Sequence, residues 1–419
     1  MDVTDAFGVT TAQWEQIEGG LFGASLLPYL GFLFYLQRDA TDAPRDVNFG
    51  FQFLLAFVFG TIPAGVYCKV QLDDILANVD WLHGSAESLL AVTNLVVLLG
   101  ARRALAEKLQ PASTASLAPG GGSADGDGGD RAGAAPAALG MAVLTVAGLA
   151  ALSVATESTA LALNSATHTV ATVDGDILLD DLVGTWREVA VYVSTYVEPR
   201  NEPANALSLP TWSIHVSSLV EWLASMELIW YYADVGGNPR WKGLTWGMVP
   251  CHASGLAACT FHLFFNDPRL ASVVATQAAL TVVGNATCAI AAYRIWDYAE
   301  KERQRAAGAG AEPNDGGVAA NPSPPQRRLA PAALRRVREK VLGYSEPLYL
   351  FQLAFATVLS SASIKYGSLY LDVLFPDGAG GAGSAPSHVA LAFACIFIPT
   401  AFNLAKWRRR AETAVEQPM

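Results

Sequence analysis

The sequence predicts an all-α integral membrane protein of about nine transmembrane helices. Apolar runs of spanning length, a charge-poor composition and a one-sided distribution of basic residues lead to that fold class. Only 16% of residues are charged and 52% are hydrophobic, against roughly 25% charged in average soluble chains. About 20 apolar residues of helix cross the hydrocarbon core. Runs of that kind lie near 21–36, 49–70, 82–101, 138–164, 211–232, 243–266, 270–296, 348–371 and 388–405. The fourth is rich in Ala, Thr and Ser and carries Glu157, so an amphipathic surface helix competes there.

Charge argues for nine. If every run crosses, 22 of the 27 Lys and Arg fall on one side. Basic residues mark the cytoplasm-equivalent side. The N-terminus is therefore expected outside (lumenal-equivalent) and the C-terminus inside (stromal or cytoplasmic-equivalent). Without the fourth span the basic clusters would be split between sides. Residues 1–20 hold Asp2, Asp5, Glu15 and Glu18 but no Lys or Arg, the reverse of a targeting peptide.

Composition divides the chain. Residues 1–110 form a three-span module, and 111–136 a Gly-rich linker expected to be disordered. Residues 137–207 hold the weak fourth span and an acidic extramembrane segment. A second three-span module covers 208–299, a basic linker expected to be disordered covers 300–345, and a two-span hairpin covers 346–419. The basic linker is a candidate to touch anionic lipid, although a solvated positive-inside loop explains it equally simply.

Ionisable groups at membrane depth are costly and need a reason. His83, Glu87 and Asn94 share one stripe of the third span, where a His/Glu pair four residues apart could share a proton. The simpler reading is an interhelical hydrogen bond that fixes packing. His215 opens the fifth span, with Glu221 and Glu227 about 240° apart around it. On the sixth, His252 and His262 lie on a seam with Gly255 and Cys259, about 15 Å apart along the axis. They are too far apart to share an ion, though each could be an axial ligand to haem or chlorophyll. A packed seam of small residues needs no cofactor. Asn285, with Gln277, Thr281, Gly284 and Cys288, reads as a close-packing face of the seventh span.

Five cysteines without a CxxC pair argue for small buried hydrophobes, against disulfides or a zinc site. P-loop, GxSxG and HExxH motifs are absent. No catalytic residue, metal ligand or cofactor is therefore expected.

Two stretches resemble known families. Residues 208–298, with GNPRW at 237–241 and His-x-Phe-x-Asn at 262–266, resemble the Ycf-forty-nine-like proteins of plastids and cyanobacteria, whose function is unknown. Residues 28–105, with PYLGFLFYL, GTIPAGVYCKV and LANVDWLHGSAESLLAVTNLVVLLGARRAL, resemble a second uncharacterised membrane family of the same lineages. These resemblances imply a plastid (thylakoid or inner envelope) or cyanobacterial-type internal membrane, and imply no reaction. The expected role is non-enzymatic, in biogenesis, assembly or scaffolding of photosynthetic membrane complexes. Its expected partners are membrane lipids and other membrane subunits, without nucleic acid. Alternatives are a membrane enzyme or carrier for a small lipophilic molecule (isoprenoid, quinone or pigment), and a haem or chlorophyll carrier.

Overall fold

The computed structural model describes residues 3–109, 202–309, 331–370 and 385–415, Ala6 and Ala204 excepted. These residues form nine α-helices: α1 (Thr11–Leu36), α2 (Arg45–Tyr67), α3 (Asp80–Leu109), α4 (Leu209–Val235), α5 (Trp241–Leu263), α6 (Ala271–Ala309), α7 (Pro331–Leu342), α8 (Glu346–Ser368) and α9 (Ala385–Val415). Eight of the nine expected runs lie in helices; the fourth, 138–164, lies outside the described residues, as does the Gly-rich linker at 111–136.

Local sequence sets the helix ends. Thr10 caps α1 by accepting from Gln13 N, while the Gln13 side chain accepts from Thr10 N. This Thr-x-x-Gln capping box starts the helix ten residues before the expected span. Ser208 caps α4, with Pro210 in its first turn, where a missing N–H costs nothing. Pro28, Pro63, Pro250 and Pro399 lie inside helices.

The basic linker expected to be disordered over 300–345 is partly ordered. Helix α6 runs on to Ala309, with ion pairs Lys301–Asp297 and Arg305–Glu302 along its exposed surface. Helix α7 buries Val337 and Val341, four apart, and exposes Arg335, Arg336 and Arg338. Its apolar stripe gives a short helix somewhere to pack.

Helices α3 and α4 are parallel neighbours. Ser208 N donates to Asp80 near their starts, Asn94 donates to Ser218 O midway, and the Lys108 ammonium lies 5.2 Å from the Tyr232 ring near their ends. Leu109 and Leu207 therefore lie at opposite ends of the bundle. Helix α5 returns antiparallel along α4, joined by Trp222 to Met248 O and Thr245 to Met226 O. Helix α8 also runs antiparallel to α4, with Ser361 donating to Trp212 O and Lys365 to Leu207 O. The basic end is knitted by Arg103 with Glu346 and Asp46, and by Glu227 with Lys340, Arg410 and Lys406.

Among the described residues, six helical stretches are long and apolar enough to cross a membrane: Thr11–Leu36, Arg45–Leu72, Asp80–Leu109, Pro268–Ala307, Glu346–Ser368 and His388–Thr413. Helices α4 and α5 are less apolar because they are central. Their inward faces bury Ser213, His215, Ser218, Glu221, Ser225, Thr245, His252 and His262. The outer helices instead expose large apolar side chains, among them Leu27, Phe59, Ile62, Phe351, Phe355 and Phe402. An apolar surface of that extent suits lipid better than water.

Glycines set two helix crossings. A Cβ on Gly100 would stand 2.7 Å from Val47 N and 2.6 Å from Asp46 Cβ. One on Gly247 would stand 2.9 Å from Thr287 O, and one on Gly284 2.8 Å from Cys251 N. Small residues let the backbones approach this closely. Gly100→Leu is expected to cost about 1–3 kcal/mol or more through overpacking. The check is loss of the folded peak on size-exclusion chromatography after heating. Gly65→Leu, where nothing lies within 4 Å, should leave that peak unchanged.

Candidate metal centre

Three histidines from three helices meet at one end of the bundle. His83 sits in the first turn of α3, His215 in the second turn of α4, and His262 in the last turn of α5. The Nε2 atom of His83 lies 2.9 Å from that of His215 and 3.1 Å from that of His262. All three are buried, at 7%, 5% and 3% exposure. Among the described residues they form a group able to hold a metal ion.

The surroundings fix which nitrogen faces inward. Asn266 donates through Nδ2 to Ala77 O and to Asn78 Oδ1, which turns its Oδ1 toward His262. That oxygen lies 2.8 Å from His262 Nδ1. Nδ1 therefore carries the proton, and Nε2 presents a bare lone pair to the cluster. On the second imidazole, Glu87 Oε2 lies 4.0 Å from His215 Nδ1 and favours a proton there. With Nε2 bare on both, the single proton His83 can carry on Nε2 cannot fully satisfy two contacts. A cation satisfies all three lone pairs.

The spacing fits. Metal–imidazole bonds of about 2.0–2.1 Å in tetrahedral array place ligand nitrogens roughly 3.3 Å apart. Imidazole nitrogen suits zinc, copper, iron or nickel. An acceptor for the second ring N–H, as Asn266 Oδ1 is for His262, is the usual orienting partner of a ligating histidine.

Local backbone builds this arrangement. The Ser208–Asp80 bond sets the register between the helices that carry His83 and His215. After α5, Phe265 and Asn266 adopt φ of 55° and 57°. That conformation is costly for a bulky residue, and it turns Asn266 back under His262.

The other expected positions separate. Of the two readings of the His83/Glu87 pair, a shared proton or a packing contact, the geometry sets both groups on other partners: Glu87 lies 4.0 Å from His215 Nδ1, and His83 contacts the two histidines across the interface. Asn94 bonds Ser218 O and Asn285 bonds Ser25 O, both helix-to-helix ties. Glu227 joins the basic end, where Lys340, Arg410 and Tyr231 hold it. Glu221 is buried at 4% exposure. His252 is buried elsewhere on α5, with Nδ1 unpartnered. The sequence reading missed the grouping of His83, His215 and His262. Its one local sign was His-x-Phe-x-Asn, which puts Asn266 four residues beyond its histidine.

Fold and site together define a helical protein with helices long and apolar enough to cross a membrane and a buried cluster of three histidines. The chain belongs to the Ycf49-like family. It is 47% identical over 92 residues to a Ycf49-like protein of Synechocystis sp., covering 22% of this chain and 88% of that protein. It is 32% identical over 83 residues to the uncharacterized protein ycf49 of Cyanophora paradoxa, covering 20% of this chain and 81% of that one. Residues 206–294 match a family of proteins of unknown function, DUF2499, and residues 18–106 match a second such family, DUF3593. His83 falls in the second of these matches, His215 and His262 in the first. No solved structure matches the chain.

Proposed function

We propose that this chain is a membrane metalloprotein of plastid and cyanobacterial-type membranes, holding one first-row transition-metal ion at His83, His215 and His262. The approach of His83 Nε2 to the Nε2 atoms of both His215 and His262, with all three residues buried, carries that reading. Structural zinc sites are closed by four protein ligands, whereas catalytic sites use three and keep a position open. Three imidazoles with Glu87 outside them match the second pattern, so the ion is there to be used. The membrane enzyme or carrier reading therefore gains over a purely scaffolding one, and moves from a His83/Glu87 stripe to the three-histidine cluster. An assembly role for photosynthetic membrane complexes draws support from the lineage of the relatives alone. The haem reading loses ground, because His262 directs its Nε2 at His83.

The test is elemental analysis of the full chain purified in detergent. About one zinc, copper or iron per chain is expected. A protein that arrives metal-free and takes up none of these on reloading would overturn the assignment.

Nine spans, with the basic end facing the stroma or cytoplasm, remain the best topology. The parallel run of α3 and α4 supports it, because an odd number of crossings between them gives that arrangement. Protease added from the basic side should cut within 305–345 and the C-terminal tail and spare 165–206. Cutting at 165–206 from that side would remove the fourth span.

A further inference from the structure

A second feature begins beside the three histidines and runs away from them. Six buried polar side-chain atoms that lack a hydrogen-bond partner among the described residues lie on the three helices α3, α4 and α8. They are Asn94 Oδ1 and Arg102 Nε on α3; Ser218 Oγ, Glu221 Oε2 and Ser225 Oγ on α4; and Thr357 Oγ1 on α8. Each residue is at most 8% exposed. Native proteins pair the great majority of such groups, so six on one trio of contacting helices call for a cause.

Spacing gives the atoms an order. On α4, Ser218, Glu221 and Ser225 follow His215 at steps of three, three and four residues, which keeps them on one side of the helix. From His215 to Ser225 the line climbs about 15 Å. Asn94 reaches it from α3 by donating to Ser218 O. Thr357 lies one turn from Ser361, which bonds Trp212 O, so it joins from α8. At the far end Tyr349 lies within electrostatic reach of both Glu221 and Arg102. Arg102 in turn reaches Tyr344 O and Glu346 at the basic end. The line therefore connects the histidine end of the bundle to the basic end.

Hydroxyls, an amide oxygen and a carboxyl all hydrogen-bond water, and buried water is what ordinarily satisfies such groups. A carboxyl at membrane depth without a cationic partner marks a proton pathway more often than a packing contact. We infer that the junction of α3, α4 and α8 holds a file of water molecules along which Glu221 takes up and releases protons. This stands on the unpartnered atoms alone and does not depend on an ion at the histidines.

The full chain in lipid vesicles tests it by infrared spectroscopy. The protein should show a protonated-carboxyl band that Glu221→Gln lacks, and that band should shift at once when the sample is moved into heavy water. The double variant Asn94→Leu/Ser218→Ala should keep the band and slow its shift by about tenfold or more, the factor that one lost partner is worth. Glu221→Asp, which keeps the acid, serves if the glutamine variant does not fold. Three outcomes would each overturn the inference: no band lost with Glu221, a band unshifted after hours, or equally fast exchange in the double variant.

Discussion

Replacing any one of His83, His215 or His262 with alanine is expected to reduce bound metal from about one equivalent to a small fraction. Structural zinc sites gain about 10–16 kcal/mol from four ligands, so one imidazole is worth roughly 3 kcal/mol, on the order of a hundredfold in affinity. The loss should also appear in stability. An ion at about 100 times its Kd adds about 2.7 kcal/mol to the folded state, and a chain that has lost a ligand forgoes most of that. Elemental analysis and thermal unfolding, each with and without added metal, read both effects. His252→Ala is the control: it removes a buried imidazole outside the cluster and should leave metal content unchanged. Equal metal content in all four variants would show that ion and histidines are unrelated.

Asn266→Ala is expected to produce the second-largest effect. Its side chain orients His262 and ties the segment after α5 to the one before α3, through Ala77 O and Asn78. Loss of such an orienting partner typically costs 10–100-fold in metal affinity. The buried groups it leaves unpaired add about 1–3 kcal/mol of destabilisation. Alanine also tolerates the positive φ at this position less well than asparagine. Asn266→Asp separates the two roles. A carboxylate still accepts from His262 Nδ1, so affinity should hold, but it cannot donate to Ala77 O, so stability should fall. Glu87→Gln should lower affinity less than Asn266→Ala, because Glu87 stands 4.0 Å from His215. Measured zinc or copper dissociation constants, taken alongside unfolding midpoints, give the ranking. A glutamine variant weaker than the alanine variant would make Glu87 a ligand.

The helices were largely legible because each is written locally, in a run of apolar residues and its caps. The capping box at Thr10–Gln13 was equally local, but a search for apolar runs does not weigh it. Two polar central helices, α4 and α5, could still be read as spans, because apolar residues such as Ile214, Met226, Leu244 and Met248 fill the rest of each. The site was legible only in pieces. His83, His215 and His262 each stood out as an ionisable group at membrane depth, yet nothing in their spacing says that they meet. Residues 132 positions apart in sequence, such as His83 and His215, are brought together by the packing of α3 on α4. Spacing rules act within one helix, which is why Glu87 was assigned to His83, its neighbour four residues away. The same rule sets His252 and His262 about 15 Å apart along the axis, and His262 meets His83 instead. Glu227 was read as an intramembrane acid because no local signal brings in Lys340 and Arg410 from distant helices.

The division of the three imidazoles between two matched regions has a consequence for how such a centre comes to exist. A polypeptide limited to residues 206–294 brings two of the ligands and cannot close the triangle alone. The third histidine arrives with the other region, so each half would present the proposed ion with an incomplete set of ligands until the two dock. Joining both in one polypeptide makes that docking intramolecular. Where the halves are separate polypeptides, the ion would be shared across a subunit boundary, and metal supply would decide how firmly the subunits hold together.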